Sequence, residues 1–194
     1  LSDIHANKYA LVRVLKRAKE LDVKKILILG DFIGYYYDPD KILDMLSLWD
    51  CEFIQGNHER MFLKSLDDIE YSKKLIKKYG TGFKEAEKKL NKKQIQFIRE
   101  LPETREILLD DLVILMCHGT VSDPDDYLYP DSKLDILNDN IIDGVDYVLT
   151  GHTHHRLQYF YNNTSVINFG SVGQSRETGG IAEWGIIDTE NKVI

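Results

Sequence analysis

The chain has 194 residues, 43% of them hydrophobic and 29% charged, an ordinary composition for a globular domain with one sizeable core. A formal net charge of −7, with no visible basic patch, argues against nonspecific nucleic-acid binding, nuclease action or attachment to an anionic membrane. It leaves a phosphate substrate open, because bound cations invert the local charge of an acidic site.

Taken in order, the chain opens on Leu1-Ser2-Asp3-Ile4-His5, with an acid and an imidazole two apart. Asn7 reads as a helix cap, and Leu11, Val14, Leu15, Ala18 and Leu21 lay one apolar stripe along the helix behind it. The apolar run 26–29 has strand length, reads as a buried parallel strand and ends in Gly30-Asp31. Asp38-Pro39 reads as a cap and first helical residue, with Ile42, Leu43, Leu46 and Trp49 at helical spacing. Residues 51–55 form a second short strand that ends in Gly56-Asn57-His58-Glu59. From Arg60 to about Leu101 the pattern is helical and lysine-rich, broken near Gly80 to Gly82 and stopped by Pro102.

Strands 105–109 and 112–117 are joined at Asp110-Asp111, and the second ends in His118-Gly119. An acidic, tyrosine-containing loop, 123–131, and a short helix, 134–138, lead to a strand at 147–150 and then to Gly151-His152-Thr153-His154. Residues 157–161, 165–169 and 182–187 read as further strands, separated by Asn-Asn and glycine-rich turns. Asn163-Thr164-Ser165 matches a glycosylation acceptor but reads as a turn. Cys51 and Cys117 lie in apolar strand patterns and read as reduced, structural thiols. No apolar run has membrane-spanning length and no secretory signal is read, so a cytoplasmic protein is expected. Without a repeat or linker, residues 1–194 are expected to form a single domain. Alternating strands and helices in the first half, and strands in the second, predict an α/β fold of packed sheets flanked by helices.

Five of the six histidines, at 5, 58, 118, 152 and 154, fall at or near the end of a predicted strand, where ligands bind in open α/β sheets. Asp3, Asp31 and Asn57 share that placement. A lone strand-end Asp ordinarily caps a helix, and a lone His is ordinarily a satisfied polar group; their coincidence favours a metal site. On extended backbone, i and i+2 side chains such as His152 and His154 point the same way. The residue types suit two divalent ions about 3.5–4 Å apart, with one carboxylate bridging them. Nitrogen and oxygen donors without thiolate fit Mn, Fe, Ni, Zn or Co.

The order Asp-x-His, Gly-Asp, Gly-Asn-His-Glu, His-Gly, Gly-His-x-His resembles the calcineurin-like metallophosphoesterase superfamily. The resemblance runs from Asp3 to Asn168-Phe169-Gly170-Ser171 and the segment after it. It implies a four-layer αββα sandwich of two mixed β-sheets flanked by helices, with a dimetal site at the strand C-terminal ends. It implies Asp3, His5 and His154 on one ion, Asn57, His118 and His152 on the other, and Asp31 on both. Manganese leads the expected metals. Asn57 would stabilise charge on the phosphoryl oxygens while His58 assists the leaving group. The activity implied is hydrolysis of a small phosphoester by a water acidified between the ions.

Gly30-Asp31-Phe32-Ile33-Gly34-Tyr35 and Gly170-Ser171-Val172-Gly173-Gln174 look like the small prokaryotic phosphodiesterase branch. Gly34-Tyr35 stand where the protein Ser/Thr phosphatases carry an Asp-Arg pair, which favours a diester over a phosphomonoester. A phosphomonoesterase and a non-catalytic scaffold, like the retromer subunit of the same fold, are the alternatives; that subunit lacks the histidine corresponding to His58. Homo-oligomerisation stays open. Only Leu1 and Ser2 precede Asp3, so the central sheet is expected to lack the strand that ordinarily leads into Asp-x-His, which bears on the first metal position. Phe169 replaces a usual proline, with an altered turn expected there.

Overall fold

The computed structural model describes residues 1–194. The elements run α1 (Lys8–Glu20), β1 (Lys25–Ile28), α2 (Pro39–Leu46), β2 (Asp50–Phe53), α3 (Asn57–Asp67), α4 (Ile69–Tyr79), α5 (Gly82–Lys89) and α6 (Lys92–Glu100). They continue as β3 (Thr104–Leu109), β4 (Leu112–Cys117), α7 (Leu134–Asn138), β5 (Tyr147–Thr150), β6 (Arg156–Tyr161) and β7 (Thr164–Phe169). No helix is long and apolar enough to cross a membrane.

Local chemistry explains most of these boundaries. The Asn7 side chain accepts the Ala10 N–H at 3.2 Å and starts α1, which buries Leu11, Val14, Leu15 and Ala18. Between α4 and α5 the chain turns at Gly80, where φ is 79°. Asn91 and Gln94 cap α6 reciprocally. Asn162 and Asn163 sit at φ 47° and 68°, the left-handed pair of a tight hairpin turn between β6 and β7. Asp38 departs from expectation: Pro39 does open α2, but the Asp38 side chain makes no cap bond. It is drawn instead to Lys8 at 3.2 Å and Lys89 at 3.6 Å.

The larger sheet has the order β3-β4-β5-β7-β6, with parallel pairing at β4/β5 and β5/β7 and an antiparallel hairpin at each side. All four residues of its central strand β5 are buried, as a strand covered on both faces requires. The smaller sheet pairs β1 with β2 in parallel. Leu29, Ile54, Ile114, Met116, Leu149 and Ile167 fill the space between the sheets. α1 to α6 cover the outside of the smaller sheet through Leu11, Leu15, Ile42, Leu46, Phe62 and Ile98. On the outside of the larger sheet, Cys117, Val148 and Val166 meet Leu128 and Leu137, so α7 and the loop before it close the fourth layer.

Asp3 is seated without a strand of its own. The Leu29 N–H bonds to Leu1 O (2.9 Å) and the Asp3 N–H to Gly30 O (3.2 Å), so residues 1–3 run alongside β1. On their far side, Val172 and Gly173 donate to Ser2 O (3.0 Å) and Asp3 O (2.9 Å). Gly173 approaches so closely that a Cβ there would lie 2.0 Å from Ile4 O. The smaller sheet is thereby continued by short backbone pairings instead of full strands. Residues 182–187, read as a strand, are not one. Glu183 makes a single bond to Ser171 O at 3.0 Å, and the next pairing is an isolated bridge between Asp188 and Val193. β-propensity without a partner along its length makes no ladder.

Candidate metal centre

The C-terminal ends of β1, β2, β4 and β5, with residues 3–5, converge on one buried cluster. Asp3, His5, Asp31, His58, His118, His152 and His154 are all buried. Three groups within it could hold a metal ion: Asp3, His5 and His154; Asp31, His118 and His152; and His5, Asp31 and His58. Asn57 joins the second, its Oδ1 3.1 Å from His118 Nε2. His152 and His154 therefore face different groups. The extended-backbone reasoning for such i, i+2 pairs does not hold here: φ is 53° at Asp3, 51° at His5, 66° at His152 and 61° at His154. Asp31 is also left-handed, at 51°. Such conformations cost about 1–3 kcal/mol each and persist where surrounding structure enforces them.

Hydrogen bonding sets each imidazole. Nδ1 of His5 donates to Ile33 O (3.2 Å), Nδ1 of His118 to Leu29 O (2.7 Å), and Nδ1 of His154 to Gln174 O (2.7 Å). A carbonyl can only accept, so in the neutral rings every Nε2 presents a lone pair inward. His5 Nε2 and His154 Nε2 stand 3.0 Å apart, with Asp3 Oδ1 at 3.8 and 3.3 Å from them. Two lone pairs and a carboxylate oxygen at that spacing call for a cation between them. Asp3 Oδ1 and His152 Nε2 are buried without a hydrogen-bond partner, a costly state that a bound ion would relieve. Asp31 Oδ2 lies 3.9 Å from His5 Nε2, 3.9 Å from His58 Nε2 and 3.4 Å from His118 Nε2, between the groups. The donor set fits divalent ions of borderline character.

The charges are tightly linked. Burial opposes ionisation of Asp3, but the His154 imidazole outweighs it and brings the carboxyl to about 2. Asp31 is likewise held well below the usual carboxylate range, because His118 and His58 outweigh its burial. Burial disfavours a charged His118, yet Asp31 raises it to about 9. Burial and the neighbouring His58 push His5 down to about 3. His118 thus carries the proton whose place a divalent ion would take.

No turn at Gly56 is needed to bring Asn57 and His58 into one site. Gly56 is extended, at φ −96° and ψ −177°, and the two residues open α3. A helix rotates successive side chains by about 100°, and this sends the amide to the His118 group and the imidazole to the His5 group. Phe169 closes β7, its ring against Gly185, and the turn after it is held by Asn168: Oδ1 accepts from the Gly170 N–H at 2.9 Å, and Nδ2 donates to Gly151 O at 2.6 Å.

Sequence reasoning missed Glu59. Its fully buried carboxylate accepts the N–H groups of Asp31 (2.7 Å), Gly56 (2.8 Å) and Ile33 (3.1 Å), tying the loop after β1 to the start of α3. Burial, helped by Asp31, pushes its pKa up to about 7. A Glu three residues into a helix was the available signal. Tyr127, from the acidic loop, stacks on His152 with ring centroids 4.2 Å apart, and no local pattern announced it.

The model of the calcineurin-like phosphoesterase superfamily domain matches residues 1–192. The chain belongs to this superfamily. An uncharacterized protein of Methanocaldococcus jannaschii is 27% identical to it over 209 residues, covering 98% of this chain and 82% of that protein. The crystal structure of a hypothetical protein of Pyrococcus horikoshii superposes with a TM-score of 0.76 at 21% identity, over 89% of this chain and 75% of that one. A structure described as a novel archaeal phosphodiesterase superposes at 0.58 and 21% identity, over all of this chain and 93% of its own. Membership of the superfamily supports a phosphoester hydrolase, and the acid and imidazole groups of the cluster could hold metal.

Proposed function

We propose that the protein is a dimetal-dependent phosphoesterase that prefers phosphodiesters to phosphomonoesters. The observation that carries this reading is the meeting of inward Nε2 lone pairs with the unpartnered Asp3 Oδ1 and His152 Nε2 on either side of Asp31. In this reading Asp3, His5 and His154 hold one ion, Asn57, His118 and His152 the other, and Asp31 both. Manganese is the first choice, with iron, nickel, zinc or cobalt as substitutes. When bound, the ions supply Lewis-acid charge and an acidified water.

The chain's own part is to fix direction and move a proton. The carbonyls of Leu29, Ile33 and Gln174 lock three rings and so fix where a phosphoryl group sits. With its Oδ1 turned toward His118, Asn57 keeps Nδ2 free to donate to a phosphoryl oxygen. His58 gives a proton to the leaving oxygen. The diester preference is supported by Tyr35, whose ring lies 4.6 Å from His5 and 4.8 Å from His58 at the position where a phosphatase of the same superfamily carries its Asp-Arg pair. Fold likeness to the archaeal phosphodiesterase agrees with it. A small phosphoester substrate and a cytoplasmic setting complete the reading.

Purified protein loaded with manganese should hydrolyse bis-p-nitrophenyl phosphate with a higher kcat/KM than p-nitrophenyl phosphate. The reverse ratio would establish the phosphomonoesterase alternative. No hydrolysis of either ester with any of the five metals would sink the enzymatic reading and leave the scaffold.

A further inference from the structure

We infer that Tyr127 is a positioning residue for the second of the two ions: stacked on His152, its ring sets the one ligand imidazole that no carbonyl fixes. The inference rests on the dimetal reading, in which Asn57, His118 and His152 hold that ion, and adds a residue outside the superfamily motif.

Three of the four proposed ligand rings are oriented by hydrogen bonds, Nδ1 of His5, His118 and His154 lying 3.2, 2.7 and 2.7 Å from a backbone carbonyl. The His152 ring has no such bond, and its Nε2 is buried without a partner. The last torsion of an imidazole side chain is broad and roughly two-fold, so an unbonded ring takes its direction from packing. Tyr127 supplies that packing: the two rings lie 4.2 Å apart between centroids and 30° from parallel. The neighbouring His118 ring, 5.0 Å away and tilted by 57°, makes a looser contact.

Tyr127 does not stand there to fill the core. It is 48% exposed, and its neighbour Leu128 is the buried anchor, packed with Cys117, Val148 and Val166. The loop that carries both residues meets every segment bearing a ligand of the second ion. Asp125 is bonded to Arg60, which follows Asn57 by three residues in α3. The loop backbone lies so near Gly119, the residue after His118, that a Cβ there would stand 2.5 Å from Asp126 O. Tyr127 itself covers His152. Thr120 closes the loop, its N–H donating to Asp123 O at 2.9 Å and its Oγ1 accepting the Asp123 N–H at 3.1 Å. Tyr129, within 4° of parallel to Tyr127 and 5.8 Å away, extends the stack. A ring held in this way by a fixed loop presses on a ligand whose own bonds leave it free to turn.

The test uses the full chain as wild type, Tyr127→Ala, Tyr127→Phe and Tyr127→Leu. Calorimetry resolves the two manganese-binding steps, and melting of the metal-free proteins checks folding. Loss of a group that orients a metal ligand predicts that Tyr127→Ala weakens one step roughly 10- to 100-fold and leaves the other within about twofold of wild type. Asn57→Ala, which alters the same ion's ligand set, should weaken that same step. Tyr127→Phe keeps the flat face and should bind both ions like wild type. Tyr127→Leu keeps bulk alone and should not recover the loss, and the Tyr127 variants should melt like wild type without metal. Both steps within about twofold of wild type in Tyr127→Ala would overturn the assignment, as would weakening of the step that Asn57→Ala spares, or full recovery by Tyr127→Leu. Equal weakening of both steps, or a matching fall in the metal-free melting temperature, would make the ring a structural prop and overturn it too. Wild type that takes up fewer than two manganese ions would retire the dimetal reading and this inference with it; two ions in wild type with Tyr127→Ala unchanged would retire the inference alone.

Discussion

At the scale of single residues, His58 separates a catalyst from a scaffold. Its ring is buried among His5 at 4.6 Å, Tyr35 at 4.8 Å, Phe83 at 5.1 Å and Tyr79 at 5.4 Å between centroids, and Nδ1 has no partner. Burial lowers its pKa: a proton once held is given up readily, but less of the free ring carries one. The link from this residue to Asp31 Oδ1 is the backbone N–H, at 2.7 Å, so removing the imidazole leaves that bond in place. His58→Ala should accordingly keep the fold and both ions while losing the general-acid contribution, about 10²–10⁴-fold in rate. The loss should grow as the leaving group becomes a poorer one, because an alkoxide needs the proton and nitrophenolate does not. kcat/KM across esters of graded leaving-group pKa checks this. A small loss of equal size for all of them would show that the ring only packs, and loss of an ion would make His58 a ligand.

Among the elements, the ends matter more than the bodies. Five of the seven proposed ligands, Asp3, His5, Asp31, His152 and His154, sit at positive φ, so the site is built from strained strand ends that their neighbours must hold. Gly173 is one such neighbour. Gly173→Ala would force its segment away from Ile4 and weaken the bonds to Ser2 O and Asp3 O. Overpacking and two impaired hydrogen bonds together cost roughly 2–4 kcal/mol. At about 2–4 °C per kcal/mol for a chain of this size, the melting temperature should fall by roughly 4–16 °C. Gly179→Ala, where a Cβ meets nothing within 4 Å, is the control and should melt like wild type. Equal melting of the two variants would mean that the 171–173 segment does not hold Asp3.

For the whole molecule, a chain whose buried centre gathers this many unpaired donors should depend on metal for stability. An ion at a hundred times its Kd adds about 2.7 kcal/mol by mass action, which at this size is roughly 5–10 °C. Manganese should raise the melting temperature by about that much per site, and a chelator should reverse it. Asp31→Asn, which removes the carboxylate lying between the groups, should weaken both sites together. Identical melting with manganese and with chelator, or full two-site occupancy in Asp31→Asn by metal analysis, would count against a bridged pair.

What the sequence determined by itself is local. Apolar runs and helical stripes located β1, β5, α1 and α2, because burial on one face imposes a period that neighbouring residues reveal. Motif order located the acid, amide and imidazoles at strand ends. Only the tertiary structure decided how they are grouped. His154 pairs with His5 across 149 residues, while His152, two positions away, turns to His118. Left-handed backbone at these positions, which the alternation of a strand does not describe, makes that division. Glu59 was legible only as a capping acid in a first helical turn; its hold on the loop after β1 comes from the Asp31 and Ile33 N–H groups that the fold brings to it. Residues 182–187 had strand composition and Asp38 the chemistry of a cap, but no neighbouring strand came alongside the first, and Lys8 and Lys89 drew the second away. Periodicity is set by near neighbours, whereas partners are set by which distant segments the packed core brings within hydrogen-bond reach.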